Sequence, residues 1–379
     1  MAKQTFTAAL ARIKAVGCGG GGCNAITRMV REEVRGVDFI ALNTDAASLS
    51  LAEAPTRIQI GPQLTRGLGA GGDHNVGARA ADESREEIRN AIQGADMVFI
   101  AAGMGGGTGT GSAPIVAALA RECGALTIAT VTKPFSFEGA HRRQVAEEGI
   151  ATLVAKVDTL VIIPNDKLLQ LCDAKTAVDG AFKMADDVLR GAVSAIAEVI
   201  TVPGMINLDY ADVRSIMKGA GPAWMSIGMG TGQNRAVDAA KNALASPLLD
   251  VQITGAKGVL FTVCGGSNMT LFEVNEAAQV IAAAVDPEAN IIFGVNIDPK
   301  MDNQVKITLI ATGFMGALSN KAPTEQELRG LIRGLESSSV DLPSFMRRGS
   351  TSYARPTSST LTGAAARPTP APAAVPHRN

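Results

Sequence analysis

Two glycine-rich runs constrain this chain more than any other feature. One reads Gly17-Cys18-Gly19-Gly20-Gly21-Gly22-Cys23-Asn24, the other Gly103-Met104-Gly105-Gly106-Gly107-Thr108-Gly109-Thr110-Gly111. Each follows a short apolar run of β type (Ile13–Val16, Met97–Ala102) and precedes a helical pattern (Asn24–Arg35, Ser112–Glu122). Glycine lets such a loop turn tightly and brings backbone N–H groups close to an anion, and the following helix N-terminus adds a favourable dipole. Repeated strand–loop–helix joints place the chain in the α/β class.

The alternation continues to about Val202. Further apolar runs lie at Val37–Leu42, Leu126–Val131 and Thr159–Ile163, with helical segments at Ala78–Gln93 and Glu138–Lys156. Strands apolar on both faces and separated by helices predict a doubly wound, Rossmann-like parallel sheet, whose ligands lie outside the carboxyl ends of the strands. A long helical pattern runs from Thr176 to Ile200 and is ended by Pro203-Gly204. Its broad apolar stripe predicts a central helix buried between two domains. A second α/β domain follows, with strands near Val259–Cys264, Ile291–Val295 and Ile307–Ala311, and helices near Asp212–Lys218, Ala236–Ala245 and Leu271–Val285. After Gly313 the composition changes. Thr324–Leu335 has the pattern of a short helix, and from Gly349 a Ser/Thr/Ala/Pro-rich stretch predicts a disordered C-terminal tail.

Composition narrows the class. With 35 Lys+Arg against 36 Asp+Glu the net charge is −1, which lacks the basic footprint of a dedicated nucleic-acid binder. Hydrophobic residues at 46% are ample for sizeable cores. The 5 cysteines are odd in number and scattered, so free thiols in a reducing cytosol are expected. The N-terminal residues lack the apolar core of a secretory signal. The uncharged stretch Met97–Ala120 is broken by glycines, serine and threonines, and reads as strand, loop and helix rather than a membrane span.

The first loop alone leaves two ligands open. Gly17, Gly19 and Gly22 satisfy GxGxxG, and Asp38 or Asp45 lies near the spacing of a ribose-binding acid, so a nicotinamide-dependent oxidoreductase is one reading. The second loop shifts the balance. A dinucleotide fold needs one such loop, whereas two suit a longer phosphate chain, and Thr108 and Thr110 add hydroxyls. No GxxxxGK[ST] occurs, which excludes a Walker-type site.

The run GGGTGTG at 105–111, together with the first loop, Asn43-Thr44-Asp45 and Thr132-Lys133-Pro134-Phe135, resembles the tubulin/FtsZ superfamily on its bacterial cell-division branch. The resemblance extends from about residue 12 to 315. It implies a GTPase that holds GTP or GDP, with Mg²⁺ carried mainly by the phosphates. By that resemblance the nucleotide contacts fall on Gly19, Gly20, Gly21, Gly22, Cys23 and Asn24 in the first loop, and on Gly103, Gly105, Gly106, Gly107, Thr108 and Gly109 in the second. Thr132, Pro134, Glu138, Arg142, Asn165, Phe182 and Asp186 complete the set. The residues carry plainer readings as well. Glu138 and Arg142 have the spacing of an ordinary surface ion pair. Phe182 could stack on a base or fill a core. Asp186 could be a solvated helix residue, or a carboxylate accepting from N1–H and the exocyclic amine of guanine, a donor pair adenine lacks.

The implied organisation is a flexible N-terminus (1–11), a GTP-binding domain (12–175), a central linking helix (176–202), a C-terminal GTPase-activating domain (203–316), a short linker (317–340), a docking peptide (341–348) and a disordered tail (349–379). Within the segment Asn207-Leu208-Asp209-Tyr210-Ala211-Asp212, the pattern NxDxxD resembles the superfamily's synergy loop and makes Asn207, Asp209 and Asp212 the catalytic candidates. Carboxylates so placed orient or deprotonate an attacking water; alternatively, Asp209 simply caps the next helix. If Asp186 touches the base, the helix from 186 to 200 alone extends about 21 Å. The acids would then act only on a neighbouring molecule's nucleotide, through a head-to-tail contact that builds filaments. The peptide Asp341-Leu342-Pro343-Ser344-Phe345-Met346-Arg347-Arg348 resembles the family's docking segment for membrane anchors and division regulators. A cytoplasmic protein at the division site, on the inner face of the membrane, follows as the expectation, binding neither nucleic acid nor lipid core. A plasmid-partition filament and a non-hydrolysing nucleotide-binding scaffold are the other readings.

Overall fold

The computed structural model describes residues 11–171, 177–201, 208–246, 248 and 255–314. The chain divides into two compact units, Met1–Ser319 and Asn320–Asn379, and every described residue belongs to the first. In chain order the elements of the first half are β1 (Ile13–Cys18), α1 (Gly19–Arg31), β2 (Val37–Asn43), α2 (Ala46–Ser50), β3 (Thr56–Gln59), α3 (Pro62–Thr65), α4 (His74–Glu83), α5 (Arg85–Ile92) and β4 (Met97–Gly103). There follow α6 (Gly107–Glu122), β5 (Leu126–Lys133), α7 (Ala140–Val154), β6 (Thr159–Pro164), α8 (Asn165–Leu168) and the long α9 (Val178–Thr201). The second half comprises α10 (Tyr210–Met217), β7 (Gly221–Thr231), α11 (Arg235–Leu244), β8 (Gly258–Gly265), α12 (Leu271–Ala282), β9 (Asn290–Ile297) and β10 (Gln304–Thr312).

The ten strands among the described residues join one sheet in the order β3-β2-β1-β4-β5-β6-β7-β10-β8-β9. The first six pair in parallel, in the doubly wound order whose direction reverses between β1 and β4. Both faces are covered, which is why these strands read as continuous apolar runs. On one face α1 and α9 pack against Ile13, Met97, Phe99 and Ile128. On the other, residues of α4 to α7 cover Val16, Val98, Ile100 and Val131. The apolar stripe of α9, from Ala185 through Leu189, Val193 and Ile196, shares its core with Leu260 of β8 and Ile310 of β10, so this helix is buried between the two α/β halves as its pattern predicts. β7 links them: its first residues pair in parallel with β6, and the rest runs antiparallel to β10.

Three differences from the sequence expectations have physical causes. The glycine runs are not loops throughout: α1 begins at Gly19 and α6 at Gly107, so much of each run forms the first turn of a helix. The single helix expected over Ala78–Gln93 is two, broken at Ser84, whose hydroxyl accepts the N–H of Gly61 at 3.1 Å. β7 escaped the sequence reading because Gly228 and Gly230 resemble strand breakers. In the structure they let α11 approach closely, since a Cβ at either position would collide with the backbone of Ala239 or Arg235. Cys172, Pro203, Gly204, the Thr324–Leu335 segment and the tail lie outside the described residues. Among the described residues no helix is long and apolar enough to cross a membrane.

Candidate functional site

A cavity of about 440 Å³ opens at the carboxyl ends of β1, β4, β5 and β6, at the point where the sheet order reverses. Open α/β sheets bind ligands at such points. Both glycine runs follow strands that end there, and α1 and α6 begin beside one another, presenting two sets of N–H groups that have no partner within their own helix. Gly20, Gly21 and Asn24 line the cavity from α1, and Gly103, Gly106, Gly107, Thr108 and Gly109 line it from the second run. A Cβ at Gly20 or Gly106 would meet no atom within 4 Å. Their absent side chains leave space in the cavity rather than satisfy a packing need.

The remaining walls are side chains delivered by β5, α7, α8 and α9. Thr132 and Pro134 lie at the end of β5, and Asn165 begins α8. Glu138 and Arg142 form the ion pair their spacing allows, with Arg142 Nη1 2.6 Å from Glu138 Oε2. Glu138 is well covered and also accepts the Phe135 N–H at 2.8 Å. Its carboxylate is therefore a fixed bracket, while Arg142 stays largely exposed. Asn165 is buried, and among the described residues its Oδ1 has no hydrogen-bond partner. A buried polar atom left unpaired at a cavity wall marks a place for a ligand's polar group.

Phe182 and Asp186 come from successive turns of α9. Phe182 is 40% exposed rather than a core aromatic, and it is held edge-on by the buried Phe135 with ring centroids 5.3 Å apart. Asp186 is no solvated residue: its side chain is only 15% exposed. Burial pushes its carboxyl up to about 6, opposed by the guanidinium of Arg28, whose Nε lies 3.3 Å from Oδ2. An aromatic face and an acceptor pair one turn apart suit a purine, with the phosphates toward the glycine runs.

Four residues of the expected set do not line this cavity. Gly19 and Gly22 pack the first run against the backbone of the second run and of β4, and Gly105 does the same against α7. Cys23 is buried with its Sγ 3.4 Å from the Leu42 carbonyl oxygen and borders an adjoining groove. Met104, Ala185 and Leu189 line the cavity without having been singled out. Arg28 was missed because its contact with Asp186 spans 158 residues of sequence. A third glycine run, Gly69-Ala70-Gly71-Gly72-Asp73, was visible but overlooked; Ala70 and Asp73 abut Gly107. The motif Asn43-Thr44-Asp45 reaches the site through Thr44, whose hydroxyl lies 2.6 Å from that of Thr108.

Of the catalytic candidates, Asn207 lies outside the described residues. Asp209 caps α10, accepting the Ala211 N–H at 3.2 Å, and Asp212 is exposed in that helix's first turn. Neither lines the cavity.

Comparison with known proteins accounts for this geometry. A model of the Tubulin/FtsZ family GTPase domain matches residues 12–173, and a model of the FtsZ family C-terminal domain matches residues 221–315. Among solved structures, an empty FtsZ dimer from M. jannaschii is 48% identical, covering 80% of this chain and 89% of its own at a TM-score of 0.78. A point mutant of the M. jannaschii FtsZ gives the same identity and TM-score over 80% of this chain and 92% of its own. CetZ1 from Haloferax volcanii, a GDP-bound monomer, shares the fold at 20% identity, a TM-score of 0.70 and coverage of 86% and 99%. The doubly wound sheet, the paired glycine runs at its reversal point and both family matches lead to one conclusion: the chain belongs to the tubulin/FtsZ family of GTPases, on the FtsZ side.

Proposed function

We propose that this GTPase assembles head to tail and hydrolyses GTP at the contact between two copies, as the cytoplasmic filament of the division site. Residues 12–175 hold the nucleotide, and 203–316 carry the groups that activate its neighbour's. In this reading the amides of Gly20, Gly21, Gly106, Gly107 and Gly109 and the hydroxyls of Thr108 and Thr132 receive the phosphates. Arg142, anchored on Glu138, supplies positive charge, and Asp186, Asn165 and Phe182 receive the guanine. The donor set fits Mg²⁺ carried by phosphate oxygens and water. The only carboxylates lining the cavity among the described residues, Glu138 and Asp186, are already bonded to Arg142 and Arg28.

One observation carries the shared-site reading. The Tyr210 hydroxyl donates to the carbonyl of Asp96 at 2.7 Å, just before β4 begins, whereas the second glycine run leaves the other end of that strand. Seven residues of β4 separate the two ends, about 20 Å at a strand's rise. Tyr210 lies between Asp209 and Asp212, so these acids stand at the amino ends of the strands, opposite their own chain's cavity. They can serve a nucleotide only from the next copy, by orienting the attacking water. Such a contact repeats without closing and gives filaments; that a 48%-identical FtsZ was solved as a dimer supports self-association. Residues 341–348, outside the described residues, would tie the filament to membrane anchors and regulators. Family membership removes the nicotinamide-dependent alternative.

Asp212→Ala tests the proposal. GTP binding should stay within about twofold of wild type while hydrolysis falls to background, a split expected when an acid acts on the partner's nucleotide. Loss of binding in parallel with hydrolysis would contradict it.

A further inference from the structure

We propose that Arg28 sets the base preference of this cavity by keeping Asp186 in its carboxylate form. The inference deepens the nucleotide-binding reading above and rests on it. Arg28 projects from the last turn of α1 and reaches α9 with both arms of its guanidinium: Nε lies 3.3 Å from Asp186 Oδ2, and Nη1 lies 3.3 Å from Asp187 Oδ1. The Arg28 and Asp186 side chains are only 25% and 15% exposed, so water screens their contact weakly. Arg28 does not itself line the cavity. It acts from behind the residue that does.

The reason such a residue matters is the donor–acceptor pattern of a carboxyl group. Ionised, it only accepts, which matches the N1–H and N2 amine of guanine. Each oxygen has two lone pairs, so Oδ2 can serve Arg28 and a base together. Protonated, it presents one donor and one acceptor, which match N1 and the N6 amine of adenine instead. The charge state of Asp186 therefore chooses between purines. Burial pushes its carboxyl up to about 6, and the neighbouring Asp187 and Asp179 push in the same direction; Arg28 opposes them.

The other charged groups nearby are engaged elsewhere. Lys183 of α9 is bonded to Asp179, and Arg190 to Glu32. On α1 Arg31 is bonded to Glu53, and across the cavity Arg142 is bonded to Glu138. The adjacent α8 carries Asp166, which accepts from Ser136, and Lys167. Among the described residues, Arg28 is the cation bonded to Asp186.

The test is displacement of a fluorescent GTP analogue from the full-length, nucleotide-stripped protein by GTP and by ATP, from about pH 5 to about pH 8. The terminal phosphate titrates in this range too, but both competitors carry it, so it cancels in the ratio of their affinities. For the wild type the GTP/ATP ratio should rise as pH increases through about 6. Arg28→Gln should move that rise upward by about 1–3 pH units, the usual effect of an adjacent Arg on a carboxyl. At pH 7 its GTP preference should then fall by about tenfold or more. Arg28→Lys keeps a cation and should restore most of the preference. Arg28→Met serves as the second neutral variant should Arg28→Gln not fold.

A neutral variant whose curve superimposes on the wild type's overturns the role of Arg28. Asp186→Asn separates that failure from the broader one. It should give a low ratio that no longer varies with pH. If instead it retains the full preference, or if the wild type shows none at any pH, the nucleotide reading itself is wrong.

Discussion

A Cβ placed on Gly22 would collide with the backbone carbonyl oxygen of Ala101. Gly22 sits in the first turn of α1 and Ala101 in β4, so this contact locks the helix that follows the first glycine run onto the strand that precedes the second. The cavity face proposed to receive phosphates is built by two backbones touching where no side chain intervenes. Glycines in these runs thus serve two separate ends, and substitution should distinguish them.

Gly22→Ala has to displace backbone and should destabilise the fold by about 1–3 kcal/mol or prevent folding, as overpacking does. Gly106→Ala has open space and an ordinary extended φ of −95°, so its only structural cost is a poorer cap for α6, at most about 1 kcal/mol. Its methyl group would occupy the space assigned to phosphate, and GTP affinity should fall at least tenfold. Calorimetric unfolding and nucleotide titration on both variants check the separation. Equal stability losses would contradict it.

Asp209 has a structural duty that must be separated from its proposed chemistry. Its carboxylate caps α10 through the Ala211 N–H, and asparagine caps about as well as aspartate. Asp209→Asn should leave stability almost unchanged and abolish most hydrolysis. Asp209→Ala should lose about 1 kcal/mol of stability in addition. Chemical denaturation alongside phosphate release measures both effects. Near-normal turnover in the asparagine variant would reduce Asp209 to a cap.

The buried carboxyl of Asp186 makes stability depend on pH in a definite direction. Its folded value, about 6, lies above the ordinary value of 3.8, so between these limits the folded chain binds the extra proton. Stability from this group is therefore lost as pH rises from about 4 to about 6, and the penalty is complete above that. Asp186→Asn removes it. The stability of the nucleotide-free variant relative to wild type should improve by about 1–3 kcal/mol between pH 4.5 and pH 7.5 in urea unfolding. A difference that does not change with pH would contradict the assignment.

Cys18 and Cys23 sit inside the first glycine run, yet both thiols are buried and burial pushes each up to about 12. Thiolate is the reactive form. At pH 8 a thiol reagent should label neither residue in the native protein and both after denaturation, as read by peptide mass. Rapid native labelling would show that the run opens.

The sheet and the glycine runs at its strand ends were legible because their signals are local. Ile13–Cys18 and Met97–Gly103 are buried on both faces, which writes an uninterrupted apolar run into the sequence, and glycine spacing marks the turns. β7 was hidden because its glycines answer to α11, a helix later in the chain. Asp186 and Phe182 pointed nowhere definite by periodicity, since a cavity wall and a protein core draw on the same residue types. Only the family resemblance singled them out. Arg28 gave no signal, because its meaning depends on a residue brought beside it by the fold.

If the acids of one copy serve the nucleotide of the next, catalysis requires assembly. Hydrolysis per molecule measured against protein concentration tests it most directly, with assembly followed by light scattering in the same samples. Turnover per molecule should lie near background in dilute, monomeric protein and rise steeply as filaments appear. A constant rate per molecule from the dilute monomer upward would contradict it.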